Sequence, residues 1–253
     1  MEKLIELIRE TKKIALDSGS AHDITVKGTA DFVTRVDMGV QEFLRPRLRE
    51  LYPDVQFMSE EKDNSGIDPR GRVWILDPID GTTNLIHDYK MSAVSLGLAE
   101  NGIPVMGVVY NPFTDELFCA KQGRGAFLNG DRIRVSEAES MESSLISVGT
   151  FPYYKELADE NFEAIKRIFI KAEDVRRCGS AAMDLCYTAC GRIDGYFERR
   201  LKPWDYAAGT VILREAGGCV TTTAGGEPSC SFPSDIIASN GKIHDELYSV
   251  INS

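Results

Sequence analysis

Apolar residues recur at helical spacing at Leu4, Ile5, Leu7, Ile8, Ile14 and Ala15, which predicts an amphipathic helix ending near Gly19. A second helix is expected over residues 33–51, with Val36, Val40, Phe43, Leu44 and Leu48 as its apolar stripe. Pro46 inside that stripe predicts a kink or a break. The period then shortens: 55–58 reads as a short strand, and the continuous apolar run 73–76 as a strand buried on both faces. Between them, Gly66, Pro69 and Gly71 stand among charges and read as a mobile loop. Strands at 92–99 and 105–110 are joined at Asn101-Gly102 in the manner of a hairpin, with further short strands near 116–120 and 126–128. Beyond the polar segment 136–144, helices near 156–169, 181–190, 205–215 and 242–251 alternate with strands near 193–197, 219–222 and 236–238. Gly217-Gly218 supplies a C-cap for the third of these helices.

The first half therefore patterns as α+β and the second as α/β, giving a mixed α+β and α/β fold class. The expected division is an N-terminal α+β subdomain, 1–140, and a C-terminal α/β subdomain, 141–253. With 253 residues the chain can bury a substantial core. The net charge of −10 offers no surplus of cations for phosphate backbones, which argues against nucleic acid as the main partner. No apolar run approaches the roughly 20 residues that cross a bilayer, and the N-terminus lacks a signal-peptide core, so no membrane association is expected. Six cysteines without a C-x-x-C pair suit a reduced, cytoplasmic protein with buried thiols.

The chemistry concentrates in Asp77-Pro78-Ile79-Asp80-Gly81-Thr82-Thr83-Asn84. Two carboxylates three residues apart follow a buried strand, where ligands of α/β folds gather, and a short helix opening at Gly81–Thr83 would present free amides to an anion. Asp77 and Asp80 would repel unless a cation lay between them, and all-oxygen ligation suits Mg²⁺. With three histidines and no paired cysteines, zinc is disfavoured. A turn in which Asp80 caps a helix and Asp77 ends a strand accounts for the same pair without any function. Glu60 stands at the end of another strand, Asp205 reads as an N-cap, and Asp31 and Asp37 suit the dipole at the start of the second helix. The Gly123–Leu128 segment begins like a dinucleotide loop but reads as a turn between strands, and Cys186 and Cys190 read as core residues.

Taken together, D-P-I-D-G-T-T-N at 77–84, Glu60, Trp204-Asp205 with Ala207, Ala208 and Gly209, and the run Glu215-Ala216-Gly217-Gly218 resemble the inositol monophosphatase family. This family belongs to the lithium-sensitive, magnesium-dependent sugar phosphatases, which also include fructose-1,6-bisphosphatases. The resemblance spans nearly the whole chain, through Cys178-Gly179-Ser180-Ala181-Ala182 to Ala238-Ser239-Asn240. It implies a layered α-β-α-β-α sandwich and a Mg²⁺-dependent phosphomonoesterase acting on inositol monophosphate or a related sugar phosphate. It further implies that Glu60, Asp77, Asp80, Asp205 and the carbonyl of Ile79 hold about two to three Mg²⁺ ions, which together can stabilise an in-line displacement. Thr82 matches the threonine that orients the attacking water, and Asp37 its acidic partner, so Thr82, Asp37, Glu60 and Asp77 form the implied catalytic set. Gly81 and Thr82 match phosphate-binding amides, while Asp80, Gly179, Ser180, Ala181, Glu198 and Asp205 fall at substrate-binding positions. Lys27 roughly matches a basic residue near the entrance and is left outside this set. A homodimer and a small phosphorylated substrate are the implied partners.

Four other functions remain open on sequence: fructose-1,6-bisphosphatase or a dual activity, histidinol-phosphatase, 3′(2′),5′-bisphosphate nucleotidase, and a protein that binds divalent cations structurally. A phosphatase with a covalent aspartyl nucleophile needs aspartates two apart, whereas Asp77 and Asp80 are three apart. Glu198 reads as a free carboxylate for ring hydroxyls, and Arg199, Arg200 and Lys202 beside it as cations that either solvate a loop or receive a second phosphate.

Overall fold

The computed structural model describes residues 1–17, 23–28 and 31–253, with the side chains of Lys27 and Asp31 excepted. The expected helix end near Gly19 lies outside the described residues. The first helix is two: α1 (Glu2–Glu10) and α2 (Lys12–Ala15). They divide at Thr11, whose hydroxyl donates to the Ile8 carbonyl at 2.6 Å, the local side-chain bond that competes with helix continuation.

The second helix does not begin at residue 33. Residues there form β2 (Asp31–Thr34), which pairs antiparallel with β1 (Ile24–Gly28), and the helix α3 runs Arg35–Leu51. Thr34 switches the chain from strand to helix. Its hydroxyl accepts from the Val36 amide at 3.2 Å, while Asp37 Oδ2 accepts from the Thr34 amide at 2.8 Å, a reciprocal capping box. Pro46 does not break this helix, which runs on past it to Leu51. It sits on the exposed side, where water can satisfy the carbonyl its ring deprives of a donor.

A seven-stranded sheet follows in sequence order: β3 (Gln56–Ser59), β4 (Arg72–Asp80), β5 (Ala93–Glu100), β6 (Ile103–Asn111), β7 (Glu116–Lys121), β8 (Ala126–Leu128) and β9 (Asp131–Arg132). Only the β3–β4 pair is parallel. The β5–β6 turn has φ of 55° at Asn101 and 76° at Gly102, the left-handed pair that a two-residue hairpin requires. A short helix, α4 (Thr82–Ile86), interrupts the run between β4 and β5.

The second sheet has five strands: β10 (Leu145–Val148), β11 (Asp174–Arg176), β12 (Gly195–Leu201), β13 (Cys219–Thr222) and β14 (Ser234–Ser239), in the order β11-β10-β12-β14-β13. Around them stand α5 (Ala158–Lys171), α6 (Ala181–Ala189), α7 (Pro203–Glu215) and α8 (His244–Asn252).

Three cores stack these elements into α-β-α-β-α layers. Leu4, Ile8, Val36, Val40 and Leu44 of α1 and α3 pack on Trp74, Leu76, Leu96 and Leu98. The alternate residues Val73 and Ile75 face a middle core, shared with Ala182 and Leu185 of α6 and with Ala207, Ala208 and Val211 of α7. Tyr196 and Ala238 of the second sheet close that core, while their neighbours Phe197 and Ile237 turn to Ile168, Leu247 and Ile251 in the third. The middle layer is tight. A Cβ at Gly107 would lie 2.3 Å from the Ala208 carbonyl oxygen, so α7 rests almost on the strand backbone. Among the described residues, no helix is long and apolar enough to cross a membrane.

Candidate active site

Strand β4 does not end at residue 76. It continues to Asp80, with a bulge between Asp77, opposite Ser95, and Asp80, opposite Ala93. In a regular strand two residues three apart point to opposite faces. One extra residue resets the phase, and both carboxylates then face the same cleft. Pro78 fits because its missing N–H falls in the bulge. The Ile79 amide donates to Asp77 Oδ1 at 3.0 Å, fixing the first carboxylate within the bulge itself.

Three further elements bring partners to this point. Glu60 follows β3, and its amide donates to the Leu76 carbonyl, which sets it beside Asp77. Asp205 is not the N-cap of α7. The helix starts at Pro203, and Asp205, its third residue, accepts from the Lys202 amide at 2.7 Å. Ser180 caps α6 and donates its hydroxyl to Asp80 Oδ2 at 2.6 Å, and the Ala182 amide donates to the same oxygen at 2.7 Å. Oxygens of Asp77, Asp80 and Asp205 lie within 4.8 Å of one another.

The threonine of the motif is tied to the first sheet's outer helix. Thr82 Oγ1 lies 3.2 Å from Asp37 Oδ1 and 3.0 Å from the Ile79 carbonyl. Asp37 is fully buried, and its other oxygen accepts from the Thr34 amide and, at 2.5 Å, from the Thr34 hydroxyl. Burial pushes this carboxyl up to about 6, and the Thr34 bonds hold it from rising further.

Burial also drives Asp77 well above the usual carboxylate range, with the charges of Glu60, Asp80 and Asp205 adding to it. Asp205 is raised in the same way, by burial and then by Asp80 and Glu60, while Asp80 reaches about 6. A cluster whose own charges oppose ionisation is suited to a cation. Among the described residues the donor set is all oxygen, and neither histidine nor cysteine lines the cleft, which fits Mg²⁺.

Glu60, Asp77, Ile79, Asp80, Gly81, Thr82, Gly179, Ala181, Glu198 and Asp205 all line one cleft. Asp37 and Ser180 do not line it, and reach it through Thr82 and Asp80 respectively. Glu198 is not a free carboxylate: Tyr196 donates to its Oε2 at 2.6 Å. Arg199 is not free either, since it pairs with Glu160 at 3.0 Å and Asp235 at 3.5 Å. Residues that sequence reasoning left unassigned also take part. Asn84 Nδ2 lies 2.6 Å from the Met91 carbonyl, 2.9 Å from that of Cys178 and 3.2 Å from that of Gly179, sewing the D-G-T-T-N turn to the α6 approach. Its signal was its place as the last residue of the motif. Arg177 and Tyr153 also line the cleft, on loops with no pattern to mark them.

The model of the inositol monophosphatase family matches residues 1–253. The chain belongs to that family. It is 43% identical over 236 residues to an inositol-1-monophosphatase from Synechocystis, covering 90% of this chain and 80% of that one. A fructose-1,6-bisphosphatase/inositol-1-monophosphatase from Thermotoga maritima is 39% identical over 251 residues, covering 98% and 94%. The Nus factor SuhB of Escherichia coli is 38% identical over 228 residues, covering 90% and 85%. Among solved structures, an IMPase from Thermotoga maritima superposes with a TM-score of 0.88 at 36% identity, over 100% of this chain and 97% of that one. The family thus agrees with the resemblance carried by the motifs, and the layered fold with what it implied.

Proposed function

We propose that this protein is a Mg²⁺-dependent phosphomonoesterase that hydrolyses an inositol monophosphate or a related sugar phosphate by in-line attack of water. The observation that carries the reading is the meeting of Glu60, Asp77, Asp80 and Asp205 in one cleft with a threonine hydroxyl held by a buried aspartate. Those four carboxylates and the Ile79 carbonyl are the proposed holders of about two to three ions. When bound, Mg²⁺ supplies positive charge to the phosphate oxygens and eases deprotonation of the attacking water.

The chain's own residues position and orient. Thr82 donates its proton to Asp37, which leaves the hydroxyl's lone pairs to accept from the attacking water and set its direction. Asp37, at about 6, is ionised at neutral pH and so keeps that orientation. The amides of Gly81 and Thr82, at the first turn of α4, face the phosphate. Gly179, Ala181 and Glu198 face the leaving group, and Ser180 holds Asp80 in place. No side-chain nucleophile is needed, because phosphoryl transfer asks the protein chiefly for positioning and charge. The division we propose assigns most ligands to 1–140 and the substrate contacts with Asp205 to 141–253. A homodimer is proposed from the resemblance alone.

A second substrate is favoured by one observation. A cavity of about 790 Å³ adjoins the cleft, lined by Arg200 and Lys202, for which no ion pair is found among the described residues. Such a cavity suits the second phosphate of fructose 1,6-bisphosphate, a substrate named for the Thermotoga relative. Charge reversal at Arg200 and Lys202 tests it: KM for the bisphosphate rises steeply while that for inositol 1-phosphate stays, if this reading holds. The Nus factor name carried by other relatives raises a non-enzymatic role. The Thr82–Asp37 pair favours catalysis, since neither cation binding nor protein docking calls for an oriented hydroxyl in the cleft. Phosphate release assayed with and without Mg²⁺ separates the two.

A further inference from the structure

Tyr196 is fully buried, yet its hydroxyl is spent on a residue of the cleft. Residues 196 and 198 are two apart on β12 and share a face, so a tyrosine of the middle core stands directly behind a carboxylate at the edge of the site. The strand's pairing with β14 becomes irregular just after Glu198, which is therefore the last regularly held position before the chain turns away. Gly149 confines the same carboxylate. A Cβ there would lie 1.8 Å from Glu198 Cδ. The glycine cannot retreat easily, since its amide donates to the Phe197 carbonyl at 2.8 Å and its carbonyl accepts from Asn161 Nδ2 at 3.3 Å.

We propose that Tyr196 is a positioning residue for substrate choice: with the bare α-carbon of Gly149, it holds Glu198 as an oriented acceptor for leaving-group hydroxyls, so that the enzyme selects phosphate esters of polyols. The inference rests on the phosphatase reading above. An ionised carboxylate only accepts hydrogen bonds, and the tyrosine occupies one oxygen. The Phe151 backbone also bonds to this carboxylate and the Arg177 charge lies near it, while Glu198 itself lines the cleft proposed above to take the phosphate. A leaving group with hydroxyls adds hydrogen bonds to this half-buried carboxylate, whereas one without them displaces water from it and gives nothing back, and so binds less well.

The test compares Tyr196→Phe and Gly149→Ala with wild type in KM and kcat for inositol 1-phosphate, and in the Ki of inorganic phosphate, which carries no leaving group. For Tyr196→Phe, KM is expected to rise about tenfold with kcat within about twofold, as one charge-assisted hydrogen bond is lost. The Ki of phosphate stays unchanged. Gly149→Ala, which displaces Glu198 without touching the tyrosine, gives the same split. Tyr196→Phe adds nothing further in a Glu198→Gln background. Parallel rises in KM and phosphate Ki, an unmoved KM, or additive losses with Glu198→Gln would overturn the proposal while leaving the phosphatase reading intact. Wild-type protein that hydrolyses no phosphate ester would overturn both.

Discussion

Asp37 shows how one side chain can serve fold and chemistry together. Its Oδ2 closes the capping box that starts α3, and its Oδ1 receives the Thr82 hydroxyl. Thr82→Ala should lower kcat by about 10²-fold or more with little change in KM, because the hydroxyl acts on the attacking water alone. Asp37→Asn should do likewise, and the double variant should lose no more than either single one. Steady-state kinetics of the three variants decide it, with additive losses contradicting a shared role. The D-P-I-D-G-T-T-N segment and Glu60 stood out because, together with the downstream motifs, they resemble the inositol monophosphatase family; at that spacing alone they suit a capped turn and a solvated pair of charges equally well. What the sequence did not display was the bulge at Pro78, which turns two aspartates of opposite phase to one side. It also hid the partner of Glu198, although a tyrosine two residues earlier on a strand is a readable sign.

At the level of elements, the position of Asp205 depends on how closely α7 lies on β5 and β6. Glycines at 97 and 107 allow that approach. Gly107→Ala should therefore push α7 outward, destabilising the fold by about 1–3 kcal/mol, as overpacking does. Mg²⁺ affinity should weaken with it, which calorimetric titration measures; unchanged affinity would detach Asp205 from the helix's seating. Most helices and the β5–β6 hairpin were legible, since long apolar periods and an Asn-Gly turn are local signals. Strands β10 and β11 were not. Leu145–Val148 carries a buried serine, Asp174–Arg176 is three residues long, and both exist because parallel neighbours supply their hydrogen bonds. The strand at Asp31–Thr34 was hidden in the same way, by a partner at Ile24–Gly28.

Over the whole molecule, buried carboxylates dominate the pH response. Burial lifts Asp37 and Asp80 to about 6 and Asp184, which accepts from the Ser147 hydroxyl at 2.7 Å, to about 7. An unperturbed aspartate carboxyl titrates at 3.8. Between those values the folded chain holds more protons than the unfolded one, so metal-free stability falls as pH rises through the window. His244, which burial holds below its usual range, works in the opposite direction within this window, and carboxylates held low by their partners, such as Asp115 by Tyr110 and Glu116 by Arg192, do so at its acid end. The Tm of chelated protein should accordingly be lower at about pH 7.5 than at about pH 5. Saturating Mg²⁺ should raise Tm more at the higher pH, because the cation needs the deprotonated carboxylates. A Tm gain independent of pH would contradict that linkage. The central claim, a cleft whose carboxylates serve Mg²⁺-dependent phosphate release, is tested most directly by assaying inositol 1-phosphate hydrolysis by wild type and Asp77→Asn, each with Mg²⁺ and with chelator. Release by wild type with Mg²⁺ and by none of the other three combinations is the predicted result. Release that survives chelation or the loss of the Asp77 charge, or no release by wild type at saturating Mg²⁺, would contradict it.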